Sequence, residues 1–315
     1  MPKLDAIYSQ NPLDRLDQTR GNKADFETRR ALKNSVFILV SANELIVHNQ
    51  LDCEFSNAQL VEYDFNVNDA VLLGALDGVN YFAISLVDGG AANPNIATRD
   101  DEGNFSAEPL RKFPTRLFTE KGHYPTEKLG ILAQAASVLN WHASHTHCAS
   151  CGELTNIAHS GWRRDCPRAA CGKQHFPRVD PVVIMLVTYG DQCLLGRGHQ
   201  FSTHRYSCLA GFVESGETIE AAARRELFEE AGIIGGDTHY LLNQPWPFPS
   251  TLMFGMHVEA KGQQLNIDYN EIADAIWVDK SEVIKVLNGD ESLPFLLPPS
   301  VAIARNLLEI WVGQA

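Results

Sequence analysis

The sequence has no apolar run long enough to cross a bilayer. Its longest, Val182 to Val187, falls far short of the roughly 20 residues a membrane helix needs. Met1 to Arg20 is polar and charged, so no secretory leader is expected. The last residues, Val312-Gly313-Gln314-Ala315, carry neither an S-K-L nor a K-D-E-L address. Basic residues are few: 26 Lys and Arg stand against 39 Asp and Glu, for a net charge of -13. That excludes a broad basic surface that neutralises many phosphates. It leaves room for a small nucleotide held through a cation. A disulfide framework is also poorly supplied. The seven cysteines are an odd number, and four stand in two close pairs. Such pairs point to zinc and to a reducing cytoplasm.

What is present is an ordinary globular composition, 44% hydrophobic and 21% charged over 315 residues, enough for two domains and a small third. Met1 to about Lys33 is polar and reads as a loosely packed lead-in. From Ser35, short β-branched runs at 36–40, 44–48, 71–74 and 81–87 are separated by a Ser-Ala-Asn turn and by Asp77-Gly78, which predicts an antiparallel β module. Asp88 to His123 is rich in Gly, Asn, Asp and Pro and reads as loop. The apolar spacing from Thr126 to Trp141 predicts an amphipathic helix.

Then come Cys148-Ala-Ser-Cys151-Gly152 and Cys166-Pro-Arg-Ala-Ala-Cys171-Gly172, with fourteen residues between the pairs. Each pair ends in glycine, which permits a tight turn toward thiolate sulfur. Four thiolates on two such turns suit a closed tetrahedral structural zinc site. His145, His147 and His175 stand close enough to replace a cysteine. Cys53, Cys193 and Cys208 read as ordinary buried thiols. Pro177 to Pro181 reads as a hinge. Strands are expected at 182–189, 192–195, 206–212, 240–243, 252–260 and 275–278. Helices are expected at 219–231, 280–288 and 300–311, the last capped by Ser300.

The most informative stretch runs from Gly211 to Ile233: G-F-V-E-S-G-E-T-I-E-A-A-A-R-R-E-L-F-E-E-A-G-I. On a helix, Glu226, Glu229 and Glu230 share one face at i, i+3 and i+4, and three like charges there are destabilising. A divalent cation with oxygen ligands is the natural compensation. Ala222 and Ala223 would let that face lie close to the protein body. A solvated acidic helix, the plain reading of a charge run, leaves the spacing from Gly211 to Glu217 to Arg225-Glu226 unexplained. The segment resembles the complete signature of the Nudix hydrolases.

A second stretch, Gln244-Pro245-Trp246-Pro247-Phe248-Pro249-Ser250, alternates proline with aromatics and predicts a stiff extended backbone. A proline-rich surface loop would not explain large aromatics held out on a stiff strand. The order of β module, four-cysteine ribbon, Nudix box and this strip, over roughly 35–312, resembles the NADH pyrophosphatases of the Nudix superfamily. That group includes bacterial RNA hydrolases that remove NAD caps. The resemblance implies an α/β fold of the α+β kind, a Nudix α/β/α sandwich with a mixed sheet, preceded by a zinc ribbon and an N-terminal β-rich domain. The expected domains are 1–140 (β-rich), 141–177 (ribbon) and 178–315 (Nudix).

The resemblance also implies roles, position by position. Glu226, Glu229 and Glu230 would be catalytic and, with the Ala210 carbonyl and Glu271, would hold Mg²⁺ or Mn²⁺. Cys148, Cys151, Cys166 and Cys171 would hold Zn²⁺. Phe176 and Phe212 would take a base ring. Gln244, Pro245, Trp246, Pro247, Phe248, Pro249, Ser250 and Thr251 would line the substrate pocket, with Trp246 reaching toward a second subunit, and Ala304 would add a backbone contact. The family's strip carries Ser at both ends, where this chain has Asn243 and Thr251, and the family often has Tyr where Phe176 stands. Arg225 would orient the helix acids and Glu217 would fix the loop or a second metal. The implied activity is hydrolysis of the pyrophosphate of NADH or NAD⁺, with NAD-capped RNA as a further substrate, by a cytoplasmic homodimer. Two alternatives compete: a Nudix hydrolase for ADP-ribose or dinucleoside polyphosphates, and a zinc-ribbon RNA-binding protein with an inactive Nudix domain.

Overall fold

The computed structural model describes residues 6–41, 44–48, 51–62, 69–88, 91–92, 105–123 and 125–313. Residues 1–5 of the expected lead-in, 42–43 of the expected Ser-Ala-Asn turn, and 89–90 and 93–104 of the expected loop lie outside them. The chain divides into two compact units. One comprises Gln10–Val179 with Pro247–Ser250; the other comprises Asp180–Trp246 and Thr251–Ala315 together with the segment ending at Ser9. The ribbon is therefore part of the N-terminal unit.

The N-terminal unit carries, in chain order, α1 (Lys23–Ala31), β1 (Val36–Ser41), β2 (Glu44–Val47), β3 (Phe55–Ser56), α2 (Asn57–Glu62), β4 (Val71–Leu76), β5 (Val79–Ser85), β6 (Val87–Asp88), β7 (Ala91–Ala92), β8 (Ser106–Pro109), α3 (Phe113–Lys121) and α4 (Thr126–Ser144). The sheet order is β4-β5-β1-β2-β8, with β3 also on β1. The expectation of an antiparallel module is corrected: β1 and β5 pair in parallel, Val36 opposite Tyr81. A core of Phe37, Leu39, Ile46, Phe55, Leu72, Phe82 and Ile84 forms on one side.

Two further expectations change. The loop reading of Asp88 to His123 hid α3, which buries Phe113 and Leu117 although its apolar positions are few. The lead-in is packed. Asn11 donates from Nδ2 to Gly130 O at 3.0 Å and to Gln134 Oε1 at 2.7 Å on α4, and Asn22 caps α1. Ala6, Ile7 and Tyr8, in the other unit, are buried as well.

The ribbon follows as β9 (Asn156–Ala158), β10 (Arg163–Asp165) and β11 (Gln174–His175), paired in the order β11-β10-β9.

The second unit carries β12 (Asp180–Tyr189), β13 (Gln192–Gly198), β14 (Leu209–Phe212), α5 (Ile219–Ala231), β15 (Gly235–Trp246), β16 (Thr251–Ala260), β17 (Ile272–Asp279), α6 (Lys280–Leu287) and α7 (Ile303–Val312). The mixed sheet runs β15-β16-β12-β13-β17, with β14 on β12 and β12 parallel to β16. Strand β12 shows why this is a three-layer sandwich. Its side chains alternate sides with period two. Val183, Met185 and Val187 pack with Ala222, Ala223, Leu227 and Ala231 of α5. Ile184 and Leu186 pack with Ile303, Leu307 and Leu308 of α7 and Val283 of α6. Burying such side chains contributes about 1.5–3 kcal/mol each. Pro181 lies inside β12, so the expected hinge ends before it. Helix α7 starts at Ile303 after Ala302, two residues later than a Ser300 cap predicts.

Candidate functional sites

Helix α5 begins where Thr218 Oγ1 accepts from the Ala221 N–H at 3.2 Å. It ends where the Gly232 N–H donates to Phe228 O at 2.8 Å. Within it, Ala222, Ala223 and Leu227 are fully buried. Their packing draws one helix face toward the sheet and carries Glu226 and Glu230 inward with it. Glu230 is 7% exposed, whereas the Glu229 side chain is 48% exposed. One Glu230 oxygen, Oε2, is buried without a hydrogen-bond partner. Burial first, and then the charges of Glu226 and Glu271, push the Glu230 carboxyl up to about 8. Glu226 is also raised, by burial first, against the opposing pull of Arg225 and with help from Glu229 and Glu271.

Gly211 explains how close β14 comes. A Cβ built there would meet the Glu226 carboxyl carbon at 1.9 Å, so any side chain at this position would displace the acid. Ala210 precedes it in β14, opposite Ile184.

Arg225 ties the acids together. Its Nε and Nη2 donate to the two carboxylate oxygens of Glu217 at 2.7 and 2.8 Å. Nη1 donates to Glu226 Oε1 and Glu229 Oε2, both at 2.8 Å, and Nη2 also reaches Phe212 O at 2.9 Å. A guanidinium has five N–H donors, and these bonds use all of them. Arg225 thus orients acids and has no donor left for a ligand. Its hydrogen bonds, with that of the Glu214 N–H, hold Glu217 down to about 2. Glu217 accepts from the Glu214 N–H at 3.0 Å and so fixes the loop before α5.

Glu271 is exposed, and its position depends on a device the sequence did not reveal. The Asn266 and Asp268 N–H groups donate to Ala231 O at 2.8 Å and Glu230 O at 3.0 Å. These are carbonyls at the end of α5 that have no partner within the helix. Asp268 then accepts from the Glu271 and Ile272 N–H groups, both at 3.1 Å. The helix end and the start of β17 are thereby locked together. The docked segment has no sequence signature, because its backbone N–H groups do the work.

The proline-aromatic strip is the tip of the β15–β16 hairpin rather than a free extended segment. Trp246 pairs with Thr251, and the turn Pro247–Ser250 includes a cis Phe248–Pro249 bond. Gln244 is 0% exposed. Its Nε2 donates to Ile7 O at 2.9 Å and Val301 O at 3.0 Å, and its Oε1 accepts from the Ile303 N–H at 2.9 Å. Its side chain is spent on the protein's own backbone, which corrects its expected place in a pocket lining. Ala304 is buried as well. Trp246 meets the Tyr8 ring edge-on, with centroids 6.2 Å apart. Asn243 donates to Tyr240 Oη at 2.6 Å. In contrast, Phe212 in this unit and Phe176 in the N-terminal unit are 62% and 61% exposed.

In the ribbon, all four Sγ atoms of Cys148, Cys151, Cys166 and Cys171 lie within 4.8 Å of one another. The Cys148–Cys171 separation is 3.7 Å and the Cys151–Cys166 separation 3.5 Å. The turns behind them use left-handed glycines, Gly152 at φ +75° and Gly172 at φ +58°, as their positions after each pair predict. This donor set fits a tetrahedral thiolate-bound ion. Cys53, Cys193 and Cys208 are buried thiols. Burial pushes Cys53 and Cys208 up to about 12, as inert thiols require. No helix among the described residues is long and apolar enough to cross a membrane.

Comparison with known proteins matches residues 178–296 to the NUDIX domain. Residues 34–141 match the NADH pyrophosphatase-like rudimentary NUDIX domain. The chain is 43% identical over 194 residues to the human (Homo sapiens) protein named NAD-capped RNA hydrolase NUDT12, covering 59% of this chain and 42% of that one. It is 36% identical over 231 residues to Nudix hydrolase 19, chloroplastic, of Arabidopsis thaliana, covering 60% and 53%. It is 40% identical over 190 residues to NAD-capped RNA hydrolase NudC of Mycobacterium bovis, covering 58% and 60%. The match thus spans about half the length of these curated relatives.

Proposed function

The chain belongs to the Nudix superfamily, and from that premise we propose that it hydrolyses the pyrophosphate of NADH and NAD⁺. The products are reduced or oxidised nicotinamide mononucleotide and AMP, and the same cut removes an NAD cap from RNA. The relatives' names and the domain matched at residues 34–141 support this reading. The observation that carries it is the acid face of α5, where Glu230 is buried beside the half-buried Glu226 without a compensating cation on Glu230.

In this reading Glu226, Glu229, Glu230 and Glu271, with the Ala210 carbonyl, hold Mg²⁺ or Mn²⁺. The orphaned Glu230 oxygen and the Gly211 cradle support the fit. When bound, such ions screen the diphosphate and acidify water. The chain's own contribution is orientation. Arg225 fixes Glu226 and Glu229 at 2.8 Å each, and the exposed Glu229 is placed to orient water. Phe212 and Phe176 each offer an open ring face to a base. The hairpin residues Pro245 to Thr251 supply the proline-aromatic edge, and Gln244 supports them from behind. Zn²⁺ on the four cysteines, a homodimer and a cytoplasmic location complete the proposal.

The test is AMP release, followed by chromatography, from NADH, ADP-ribose and NAD-capped RNA by one preparation with Mg²⁺ or Mn²⁺. Faster turnover of NADH and of the NAD cap than of ADP-ribose is expected. Preferential turnover of ADP-ribose would overturn the substrate, and tight RNA binding with no AMP released would overturn the enzyme.

A further inference from the structure

A cavity of about 980 Å³ opens within the N-terminal unit, between the start of α1, the end of α4 and the β9–β10 hairpin. Its volume is in the range of small-ligand sites, about 300–1,000 Å³. No residue of the acid face or the strip lines it.

Arg164 of β10 lines this cavity and is only 6% exposed. Its guanidinium donates to Thr155 Oγ1 at 2.8 Å, to His142 Nδ1 at 3.0 Å and to Thr155 O at 3.0 Å. All three partners are neutral. His142 must accept at Nδ1, since its Nε2–H donates to Gly161 O at 2.7 Å. Of five guanidinium N–H donors, two have no partner among the described residues, and no described carboxylate ion-pairs with Arg164. Buried cations are ordinarily matched by an anion. Asp69, exposed on the lining, acts on Arg164 only at a distance.

The rest of the lining has the same imbalance. The Arg20 guanidinium carbon sits over the Trp162 ring, 4.2 Å from its centroid, and its carboxylate, Asp17, is 3.4 Å away and 86% exposed. Lys23 is exposed and pairs with no described residue. Glu27 is already bound to Arg30 at 2.6 Å. Four cations thus face two carboxylates here, in a chain of net charge -13. Phe26 and Ile157 add apolar wall.

We propose that this cavity binds a phosphomonoester of the mononucleotide class, with its phosphate on Arg164, Arg20 and Lys23 and its ring against the apolar wall. A phosphate dianion supplies the missing counter-charge and accepts from a guanidinium in paired fashion. A nucleic-acid backbone fits less well, because each of its phosphates carries one charge and its length would meet the acidic remainder of the surface.

The test is calorimetric titration of the zinc-loaded full chain with AMP, and separately with inorganic phosphate, in buffer without Mg²⁺ or Mn²⁺. Saturable AMP binding is expected. It weakens about tenfold in Lys23→Ala or Arg20→Ala and is lost in Arg164→Gln. Lys23 is exposed, so its variant reads out binding with the fold intact. Absence of saturable binding, binding that survives both Lys23→Ala and Arg20→Ala, or displacement of AMP by unmodified single-stranded RNA would each overturn the proposal.

Discussion

The acid face of α5 and the four cysteines of the ribbon are both clusters of metal-ligating side chains, and they are built in opposite ways. The sulfurs converge to within 4.8 Å from two tight turns. They leave no open position, which is the mark of a structural ion. The carboxylates come from a helix face and from the start of another strand. Two of them, Glu229 and Glu271, are exposed, and Arg225 spans three of the acids. An open, partly pre-neutralised cluster can exchange its ions and admit a substrate. The closed cluster holds a small segment together; the open one is held together by the fold around it.

Breaking the open cluster should have the largest effect. Glu230→Gln removes a buried ligand while keeping its volume. Turnover of NADH is expected to fall by at least about 100-fold, with the melting temperature unchanged or higher; parallel rate and melting measurements check this. Breaking the closed cluster should do the reverse. Cys148→Ser should take bound zinc from one equivalent per chain to none and cost more than about 3 kcal/mol of stability, read by metal analysis and denaturant unfolding. Full zinc retention would contradict the closed reading.

Arg225→Gln sharpens the difference. Without the guanidinium, Glu217, Glu226 and Glu229 lose their shared partner. The chain should lose about 2 kcal/mol in buffer without Mg²⁺ and regain much of it in Mg²⁺, as melting of the zinc-loaded protein in the two buffers would report.

A pH-dependent effect concerns the seat of the ribbon. His142 is held down to about 4, first by burial and further by the Arg164 charge. Its folded value lies below its unfolded value, so the unfolded chain takes up the proton first. Stability should be full above pH 6.5 and fall by about 3 kcal/mol as pH drops toward 4, at roughly 1.4 kcal/mol per unit. His142→Gln should flatten that decline in pH-dependent unfolding of the zinc-loaded protein.

Much of this was legible in the sequence, for physical reasons. Helix α5 declares itself through the spacing of its acids and alanines, and the cysteine pairs through spacing and glycine. The strands of the second unit are recognisable because β-branched runs end at turns such as Gly190-Asp191. What stayed hidden depends on partners far along the chain. The parallel pairing of β1 with β5 leaves no trace in either strand's pattern. Helix α3 shows too few apolar positions to signal a period. Gln244 reads as a strip residue because nothing local shows that Ile7 and Val301 will surround it. The position of Glu271 rests on backbone groups at Asn266 and Asp268, and backbone groups are the same whatever the sequence.

The bond from Gln244 to Ile7 bears on how this protein can be cut. A Nudix fragment taken from the sequence alone would begin near residue 178 and discard everything before it. That excision removes the carbonyl to which Gln244 donates at 2.9 Å and the Tyr8 ring beside Trp246. The shortened fragment would expose the root of the hairpin, and a purification tag joined close to Ile7 would press on the same spot. Tags belong at the other end, and minimal-domain expression calls for grafting residues 6–9 back on, for instance by circular permutation.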